Sequence, residues 1–227
     1  EELAAADDTT GARGRLADVG TALARAVARS GRPPVRVRHR APTAGYRCGM
    51  SDLSGKTVAI IATDFVEEPE LVQPRDALRD AGATVRIYSS SSDPIQAVQG
   101  DTDPTQKIDV DGTFDDLDAS AIDALVVPGG TVNADRIRVE PKAQDIVRRV
   151  MEDKTPLAVI CHGPWLLVSA GLARGRRLTS YHSLADDVRN AGGTWTDEEV
   201  VVDGNLITSR NPDDLPAFIK ALEDALS

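Results

Sequence analysis

The stretch 156–171, PLAVICHGPWLLVSAG, decides how we interpret this chain of 227 residues. Its residues Leu157–Ile160 form a short apolar run, which is typical of a strand buried on both faces of a parallel sheet. Cys161 and His162 follow directly, and Gly163-Pro164 then opens a second apolar run that ends in glycine. Proline is tolerated in a first helical turn, and glycine commonly ends a helix. The stretch therefore predicts a strand, an abrupt turn and a helix, with a cysteine on the turn.

The position of Cys161 on this turn matches that of a catalytic nucleophile. In a nucleophile elbow the turn projects the side chain out of the sheet, and the helix begins beneath it. A thiol at that place lies in the field of unpaired backbone N–H groups, which favours the reactive thiolate. By position alone, a lone cysteine after a buried strand is more often an inert core residue. The rest of the chain has to decide between these two interpretations.

Composition and charge limit the class of protein. The length suits one α/β domain with a sizeable core, and no apolar run approaches the roughly 18 residues of a membrane span. A net charge of −10 argues against nucleic acid and anionic membranes as partners, because a phosphate backbone needs Lys and Arg opposite it. The two cysteines are Cys48 and Cys161, and Cys48 lies outside the predicted domain, so no internal disulfide is expected. A reducing, cytoplasmic location fits best.

Residues 1–49 differ from the rest of the chain. They carry nine Arg against five acidic residues, and Met50 stands just before the first predicted strand. The tetrapeptide Gly31-Arg32-Pro33-Pro34 cannot continue a helix. A targeting peptide or a binding arm is one interpretation of such a segment. We expect an Arg-rich extension that is disordered or non-native, with the functional domain in residues 50–227.

From Lys56 onward, apolar runs of strand length alternate with helix-like stretches. Such alternation predicts an α/β fold with a three-layer, doubly wound and mostly parallel sheet of the flavodoxin-like kind. A hairpin-like excursion, 95–98 with 107–110, interrupts the alternation, and Asp203-Gly204 is a strong turn signal for a second hairpin. The predicted sheet strands are 58–62, 84–88, 124–127, 157–160 and 178–180.

Three distant pieces of sequence should meet at one edge of this sheet. The carboxyl ends of parallel strands share an edge, so the loops after the first, third and fourth strands face one crevice. These loops hold Glu67-Glu68-Pro69-Glu70, Gly129-Gly130 and Cys161-His162. A carboxylate beside Cys161 would raise the pKa of the thiol unless the two groups share a proton. Acidic residues at a helix start are also favoured by the dipole alone, so solvation explains at least one of the three glutamates.

The two glycines and the histidine have both functional and structural interpretations. Glycines let backbone N–H groups approach a substrate oxygen, so Gly129 and Gly130 with the N–H of His162 would form an oxyanion hole. A tight turn alone would also use two glycines. The His162 ring reaches the Cys161 sulfur only if the backbone is irregular, because neighbours on a regular helix do not face each other. No cluster of His, Cys and acidic residues has metal-ligand spacing, so neither a metal nor a cofactor is expected.

Several motifs together resemble one family, over about residues 56–226. The motifs are Glu67-Glu68-Pro69-Glu70-Leu71, Val127-Pro128-Gly129-Gly130, Ala158-Val159-Ile160-Cys161-His162-Gly163-Pro164, Thr179-Ser180-Tyr181, and Asp203-Gly204-Asn205 through Thr208-Ser209-Arg210. They resemble the PfpI-type intracellular peptidases and the related parkinsonism-associated deglycases, within the class I glutamine-amidotransferase-like fold.

The resemblance implies roles for individual residues. Cys161 is then the nucleophile and Glu70 its acidic partner, with Glu67 nearby as a substrate-binding residue. His162 is the histidine of the peptidase branch, and Tyr181 matches a tyrosine that lines the site in that branch.

The same resemblance implies an acid from a neighbouring subunit. In some members the loop after the double glycine contributes it, and Asp135 is the matching residue here. This loop is one residue longer than usual and carries Asp where Glu is usual. An open crevice also exposes reactive intermediates to water unless something covers it. We therefore expect a homodimer or a higher homo-oligomer, with the loop 131–138 near the partner's site.

The predicted activity follows from the nucleophile and from the resemblance. Cys161 should attack an electrophilic carbonyl, and the family implies small dicarbonyls such as methylglyoxal, or their early adducts on amino groups, as substrates. Hydrolysis of peptides is the alternative among enzymes. A redox sensor or chaperone-like stress protein is the alternative outside them, because a thiolate beside a carboxylic acid favours oxidation to the sulfinate.

Overall fold

A parallel sheet organises residues 52–227, the part of the chain that the computed structural model describes. The predicted extension 1–49 lies outside these residues. In chain order the strands are β1 (Thr57–Ile61), β2 (Val66–Glu67), β3 (Thr84–Ser89), β4 (Ile95–Gln99), β5 (Asp103–Ile108), β6 (Gly112–Thr113), β7 (Ala124–Val127), β8 (Leu157–Ile160), β9 (Arg177–Leu178), β10 (Thr194–Trp195), β11 (Val200–Asp203) and β12 (Leu206–Ser209). The α-helices are α1 (Glu68–Asp80), α2 (Thr131–Ile137), α3 (Pro141–Glu152), α4 (Pro164–Ser169), α5 (Ala185–Asn190) and α6 (Leu215–Leu226). Short 3-10 helices cover Phe114–Asp116, His182–Leu184 and Pro212–Asp214.

The main sheet has seven strands in the order β11-β12-β8-β7-β1-β3-β6. All neighbours in it run parallel except β11 and β12, which form an antiparallel hairpin at one edge. The five strands from β3 to β12 follow the chain order 2-1-3-4-5 of the flavodoxin-like arrangement. In that arrangement the winding reverses between β1 and β7, and a crevice opens there at the carboxyl ends of the strands. The predicted fold class, α/β with a doubly wound and mostly parallel sheet, is confirmed.

Helices cover both faces of the main sheet, which explains its continuously apolar strands. Side chains alternate along a strand, so Val58 and Ile60 of β1 pack on one face while Ala59 and Ile61 pack on the other. The helices α1 and α6 cover the first face, and α2, α3, α4 and α5 contribute to the second. Every residue of β7, β8 and β12 is buried as a result. Within residues 52–227, no helix is long and apolar enough to cross a membrane.

The strands β2, β4 and β5 form a separate three-stranded sheet. Strands β4 and β5 make the hairpin that the sequence predicts, but β5 begins at Asp103 and not at 107. The added length includes Pro104, which is tolerated because β5 is an edge strand. Strand β2 pairs with β4 directly before α1 begins, so this small sheet ties the start of α1 to the hairpin.

Helix α2 is the largest difference from the sequence prediction. Residues 131–138 are expected to form a loop, and the structure has a helix there that begins directly after Gly130. No side chain next to this helix caps it. Its first N–H, from Thr131, is instead bound at 2.7 Å by the carboxylate of Asp101, which lies 30 residues earlier in the β4–β5 turn. A cap supplied from that distance leaves no signal in the local sequence.

Asn133, on α2, joins three pieces of the framework around the crevice. Its side chain is fully buried, and its oxygen accepts hydrogen bonds from the N–H (2.6 Å) and the hydroxyl (3.1 Å) of Thr63, after β1. Its amide nitrogen donates to the carbonyls of Pro128 (3.2 Å) and Gly129 (2.8 Å), after β7. This one side chain fixes two loops and a helix relative to one another.

Asn133→Asp should destabilise the domain strongly at neutral pH. The change keeps the shape, but it removes both donors and places a carboxylate against two carbonyl oxygens in a fully buried position. We expect the free energy of unfolding in urea to fall by about 3 kcal/mol or more. The matched control Asn190→Asp, at an exposed position at the end of α5, should change it by about 1 kcal/mol or less. An equal loss in both variants would contradict the role given to Asn133.

Candidate active site

Cys161 lies on the tight turn between β8 and α4. Its φ of 61° is in the left-handed region, which is costly for a residue other than glycine and marks a constrained turn. The Cys161 N–H donates to the carbonyl of Ser209 (3.1 Å), and the Cys161 carbonyl accepts from the N–H of Tyr181 (2.8 Å). The residue is 5% exposed. The turn has the geometry of a nucleophile elbow, and its thiol is nearly buried.

Glu70, in the first turn of α1, places a fully buried carboxyl beside this thiol. One oxygen, Oε2, accepts the N–H of Gly129 at 2.8 Å. The other, Oε1, is buried and has no hydrogen-bond partner among the described residues. Burial raises the pKa of Glu70 to about 8, although the Gly129 N–H and the nearby Cys161 thiol act in the opposite direction. Glu70 therefore holds a proton at neutral pH, and its unpaired oxygen is available to donate it.

The surroundings of Cys161 oppose ionisation more than the sequence suggests. Burial raises the pKa of the thiol above its usual range, and a charged Glu70 would raise it further. The Gly130 N–H, which faces the sulfur from the loop after β7, lowers that pKa. Cys161 and Glu70 are coupled: the pKa of Glu70 is raised to about 8, and a charged Glu70 raises the pKa of the Cys161 thiol, so both groups hold a proton at neutral pH.

His162 turns its ring back toward the neighbouring sulfur. Nδ1 lies 3.2 Å from Sγ of Cys161, a contact that depends on the irregular backbone of the elbow. Nε2 lies 3.3 Å from the Thr131 hydroxyl and 3.4 Å from the Ser183 hydroxyl. Burial lowers the pKa of His162, so the neutral ring predominates at neutral pH. Nδ1 can then accept the thiol proton in the tautomer whose Nε2 carries the hydrogen.

The two glycines after β7 have different functions. A Cβ on Gly129 would lie 2.6 Å from Cβ of Cys161 and 2.6 Å from Oε2 of Glu70, so only glycine fits between them. Because the Gly129 N–H is bound to Glu70, it is not free for an oxyanion, which corrects the prediction for that residue. The N–H of His162 has no acceptor among the described residues, and that of Gly130 faces the sulfur. These two N–H groups therefore lie beside the thiol, and their action as oxyanion donors stays a prediction.

Glu67 holds a turn and does not present its carboxylate to the crevice. Its two oxygens accept main-chain N–H groups of the β4–β5 turn, from Gly100 at 2.9 Å and from Asp101 at 3.0 Å. The side chain is buried, and both oxygens are engaged. The prediction of a substrate contact for Glu67 is corrected accordingly: the residue fixes the turn that carries Asp101.

The structure brings Tyr181 to the site and leaves Asp135 apart from it. The Tyr181 ring stacks on His162 with a centroid distance of 4.6 Å, and its other neighbour is His182 at 4.5 Å. Asp135 is exposed on α2 and, within residues 52–227, forms no hydrogen bond or ion pair with the other predicted site residues. Its action on the site of a neighbouring subunit stays a prediction.

Sequence reasoning missed Asp101 and Thr131. The Asp101 carboxylate binds the Thr131 N–H, and the Thr131 hydroxyl reaches the His162 ring. The stretch 100–104, GDTDP, is rich in turn-forming residues. That composition signals a tight turn, but it does not reveal what the turn approaches.

A cysteine on a nucleophile elbow, with a buried glutamate and a histidine against it, defines a class of flavodoxin-like α/β proteins built around one thiol. The chain matches the DJ-1/PfpI family over residues 56–225, and it belongs to that family. The sequence resemblance and the fold thus agree.

Individual relatives match most of the described domain. The chain is 41% identical over 165 residues to deglycase PfpI of Pyrococcus furiosus, covering 73% of this chain and 95% of that protein. It is 37% identical over 166 residues to general stress protein 18 of Bacillus subtilis, covering 72% of this chain and 94% of the relative. The crystal structure of Drosophila melanogaster DJ-1beta superposes with a TM-score of 0.69 at 29% identity, covering 75% of this chain and 90% of that one.

Replacing Glu70 by Gln should remove a pH dependence of stability. The pKa of Glu70 is raised from 4.5 to about 8 on folding, so between these values the folded chain binds one more proton than the unfolded chain. The contribution of this proton to the free energy of unfolding is complete below about pH 4.5 and is lost as the pH rises to about 8. Relative to Glu70→Gln, the wild-type free energy of unfolding should fall by several kcal/mol across this range, roughly 5 kcal/mol at most.

Urea unfolding at closely spaced pH values measures this difference. The control Glu152→Gln, at an exposed position at the end of α3, should follow the wild-type curve. Parallel curves for wild type and Glu70→Gln would show that the pKa of Glu70 is not raised.

Proposed function

We propose that this protein is a cysteine-dependent hydrolase or lyase that acts on reactive carbonyl compounds, as glyoxalases and deglycases do. The observation that carries the proposal is the placement of the Cys161 thiol between two proton carriers. Glu70 is protonated at neutral pH, and neutral His162 has Nδ1 at 3.2 Å from the sulfur. Addition of a thiol to a carbonyl needs one proton removed from sulfur and one delivered to oxygen, and this cluster supplies both.

The first step of the proposed reaction balances within this cluster. His162 takes the thiol proton at Nδ1, and the Cys161 sulfur bonds to the carbonyl carbon while the C=O electron pair moves to oxygen. The N–H groups of Gly130 and His162 hold that oxygen, and Glu70 gives it a proton from Oε1. With a dicarbonyl such as methylglyoxal, the C–H proton of this carbon then moves to the oxygen of the neighbouring carbonyl, which gives an enediol, and the hydroxyl proton of the attacked carbon moves to the neighbouring carbon, which gives a thioester. Water cleaves the C–S bond of the thioester, releases a 2-hydroxy acid and restores the thiol. With an adduct on an amino group, the C–N bond breaks, its electron pair and a proton from the His162 imidazolium go to nitrogen, and the amine leaves.

A small substrate is supported by burial and by similarity. Cys161 and His162 are 5% and 4% exposed, so a compact carbonyl compound reaches the sulfur more easily than an extended chain does. The Pyrococcus furiosus relative is named a deglycase. We infer reactive carbonyls or glycated amino groups as the substrate class. The net charge of −10 disfavours a nucleic acid backbone as a partner.

Peptide hydrolysis is the second candidate. The contact between Cys161 and His162 is a nucleophile–base pair of the kind that cysteine peptidases use. The low exposure of both residues argues against an extended substrate. Burst release of a chromophore from a peptide amide, lost in Cys161→Ser, would rank this candidate first.

A stress-protective or redox-sensing function would use the same thiol without turnover. The Bacillus subtilis relative is named a general stress protein. A thiol beside a carboxylic acid favours oxidation to the sulfinate. Selective addition of two oxygens at Cys161 under mild peroxide, with no carbonyl consumed, would support sensing over catalysis.

We further propose that the protein works as a homodimer or higher homo-oligomer in a reducing cytoplasm, where a free thiol persists. Val132 on α2 is 39% exposed, and Val139 just beyond it is 68% exposed. Exposed apolar side chains on either side of Asp135 suit a contact with a second copy. Such a contact would bring Asp135 to the partner's site.

Cys161→Ser should abolish the consumption of methylglyoxal by the purified protein. A hydroxyl in place of the thiol is a far weaker nucleophile in this site, so kcat/KM should fall at least about a hundredfold. Cys48→Ser is the matched control and should keep wild-type activity, while thermal unfolding shows that both variants fold. Full activity in a folded Cys161→Ser variant would contradict the assignment.

Light scattering at micromolar concentration should give at least twice the chain mass of 24.1 kDa. Val139→Asp should weaken the assembly, because it places a charge in the proposed apolar contact. A monomeric wild type with Cys161-dependent turnover would overturn both the assembly and the placement of Asp135 at the partner's site.

A further inference from the structure

A chain of three contacts links the Asp101 carboxylate to the Cys161 sulfur. The carboxylate accepts the Thr131 N–H at 2.7 Å. The Thr131 hydroxyl oxygen lies 3.3 Å from Nε2 of His162, and Nδ1 of the same ring lies 3.2 Å from Sγ. All four residues belong to one subunit. An acid is thereby connected to the histidine without any contribution from a second copy.

The turn that presents Asp101 is held firmly in place. Gly100 and Asp101 have φ values of 61° and 66°, and aspartate is one of the few residues besides glycine that adopt this region readily. Glu67, which is 6% exposed, binds the N–H groups of both residues. A buried carboxylate is thus used to fix the position of a second carboxylate.

We propose that Asp101 is the positioning acid of this site, acting within its own chain. Through Thr131 it orients His162 and stabilises the imidazolium that forms when His162 takes the Cys161 proton. The inference rests on the proposed cysteine chemistry and deepens it. The family resemblance implies that Asp135 from a neighbouring subunit is the acid of this site. The inference assigns that role to Asp101 of the same subunit.

The hydrogen-bonding capacity of the contacts fits this role. For Nδ1 of His162 to accept the thiol proton, Nε2 must carry the hydrogen and needs an acceptor. The hydroxyls of Thr131 and Ser183 both lie within reach of Nε2. Once the ring is a cation, both nitrogens donate, and the negative charge of Asp101, which binds the Thr131 main-chain N–H, stabilises it.

Of the charges around the ring, that of Asp101 acts in the sense that the inference requires. Burial lowers the pKa of His162, Asp101 raises it, and His182 lowers it. Glu70 brings no charge at neutral pH because it is protonated. Two of these groups are anions: the Asp101 carboxylate and the Cys161 thiolate. The thiolate forms only when the thiol proton has moved to His162.

Asp101→Asn tests the inference with little change of shape. Asparagine tolerates the left-handed turn and can still accept the Thr131 N–H, so the variant loses mainly the charge. NMR titration of the His162 ring, assigned by comparison with His162→Gln, should show its pKa falling by about half a unit or more. The apparent pKa on the acid side of the pH profile of kcat/KM for methylglyoxal should fall by the same amount. Asp103→Asn removes the same charge from an exposed position of the same hairpin and should move neither quantity.

Asp135→Asn decides which acid acts on His162. If Asp135→Asn lowers the pKa of His162 and Asp101→Asn does not, the acid comes from a neighbouring subunit and the inference is wrong. An unchanged pKa in Asp101→Asn overturns it in any case. The NMR measurement needs no substrate, so the two proposals can fail separately. A shifted pKa without carbonyl turnover refutes the proposed function alone, and turnover with an unshifted pKa refutes the inference alone.

Discussion

The buried carboxyl of Glu70 is the constraint on which the rest of the site depends. A carboxyl removed from water is costly to ionise, and the hydrogen bond that it receives from Gly129 does not offset that cost. Glu70 therefore keeps its proton at neutral pH and can stand beside the Cys161 thiol, where two anions would repel each other. The position of the double glycine follows from this contact, because a Cβ at Gly129 would occupy the space that the two side chains share.

Polar side chains that bind main-chain groups of other elements hold this contact in place. Asn133 joins the loops after β1 and β7 to α2, Glu67 fixes the β4–β5 turn, and Asp101 binds the first N–H of α2. Loops are ordinarily the mobile parts of an α/β fold. Here three of them are bonded into one unit, and the thiol, its acid and its histidine keep their spacing because that unit is continuous with the sheet.

The fold and the central residues of the site could be predicted because they rest on local signals. Apolar runs of strand length indicate the doubly wound sheet, and its topology brings the acidic cluster 67–70, Gly129 and Cys161 to one edge. The family resemblance then selects Glu70 from that cluster. Helix α2 and the contacts of Glu67 and Asp101 could not be predicted, because they join groups that are 30 to 34 residues apart in the chain. The direction of the Gly129 N–H could not be predicted for a second reason. The sequence shows that position 129 is glycine, but the buried carboxyl of Glu70, on another element, determines where its N–H points.

Infrared difference spectroscopy, wild type minus Glu70→Gln, tests most directly whether Glu70 holds a proton beside Cys161. A protonated carboxyl and a carboxylate absorb at well-separated frequencies, and the subtraction isolates this one side chain. The account predicts a protonated-carboxyl band at neutral pH that disappears as the pH is raised through about 8. A carboxylate signal from Glu70 at neutral pH, with no protonated band at any pH well above 4.5, would contradict it.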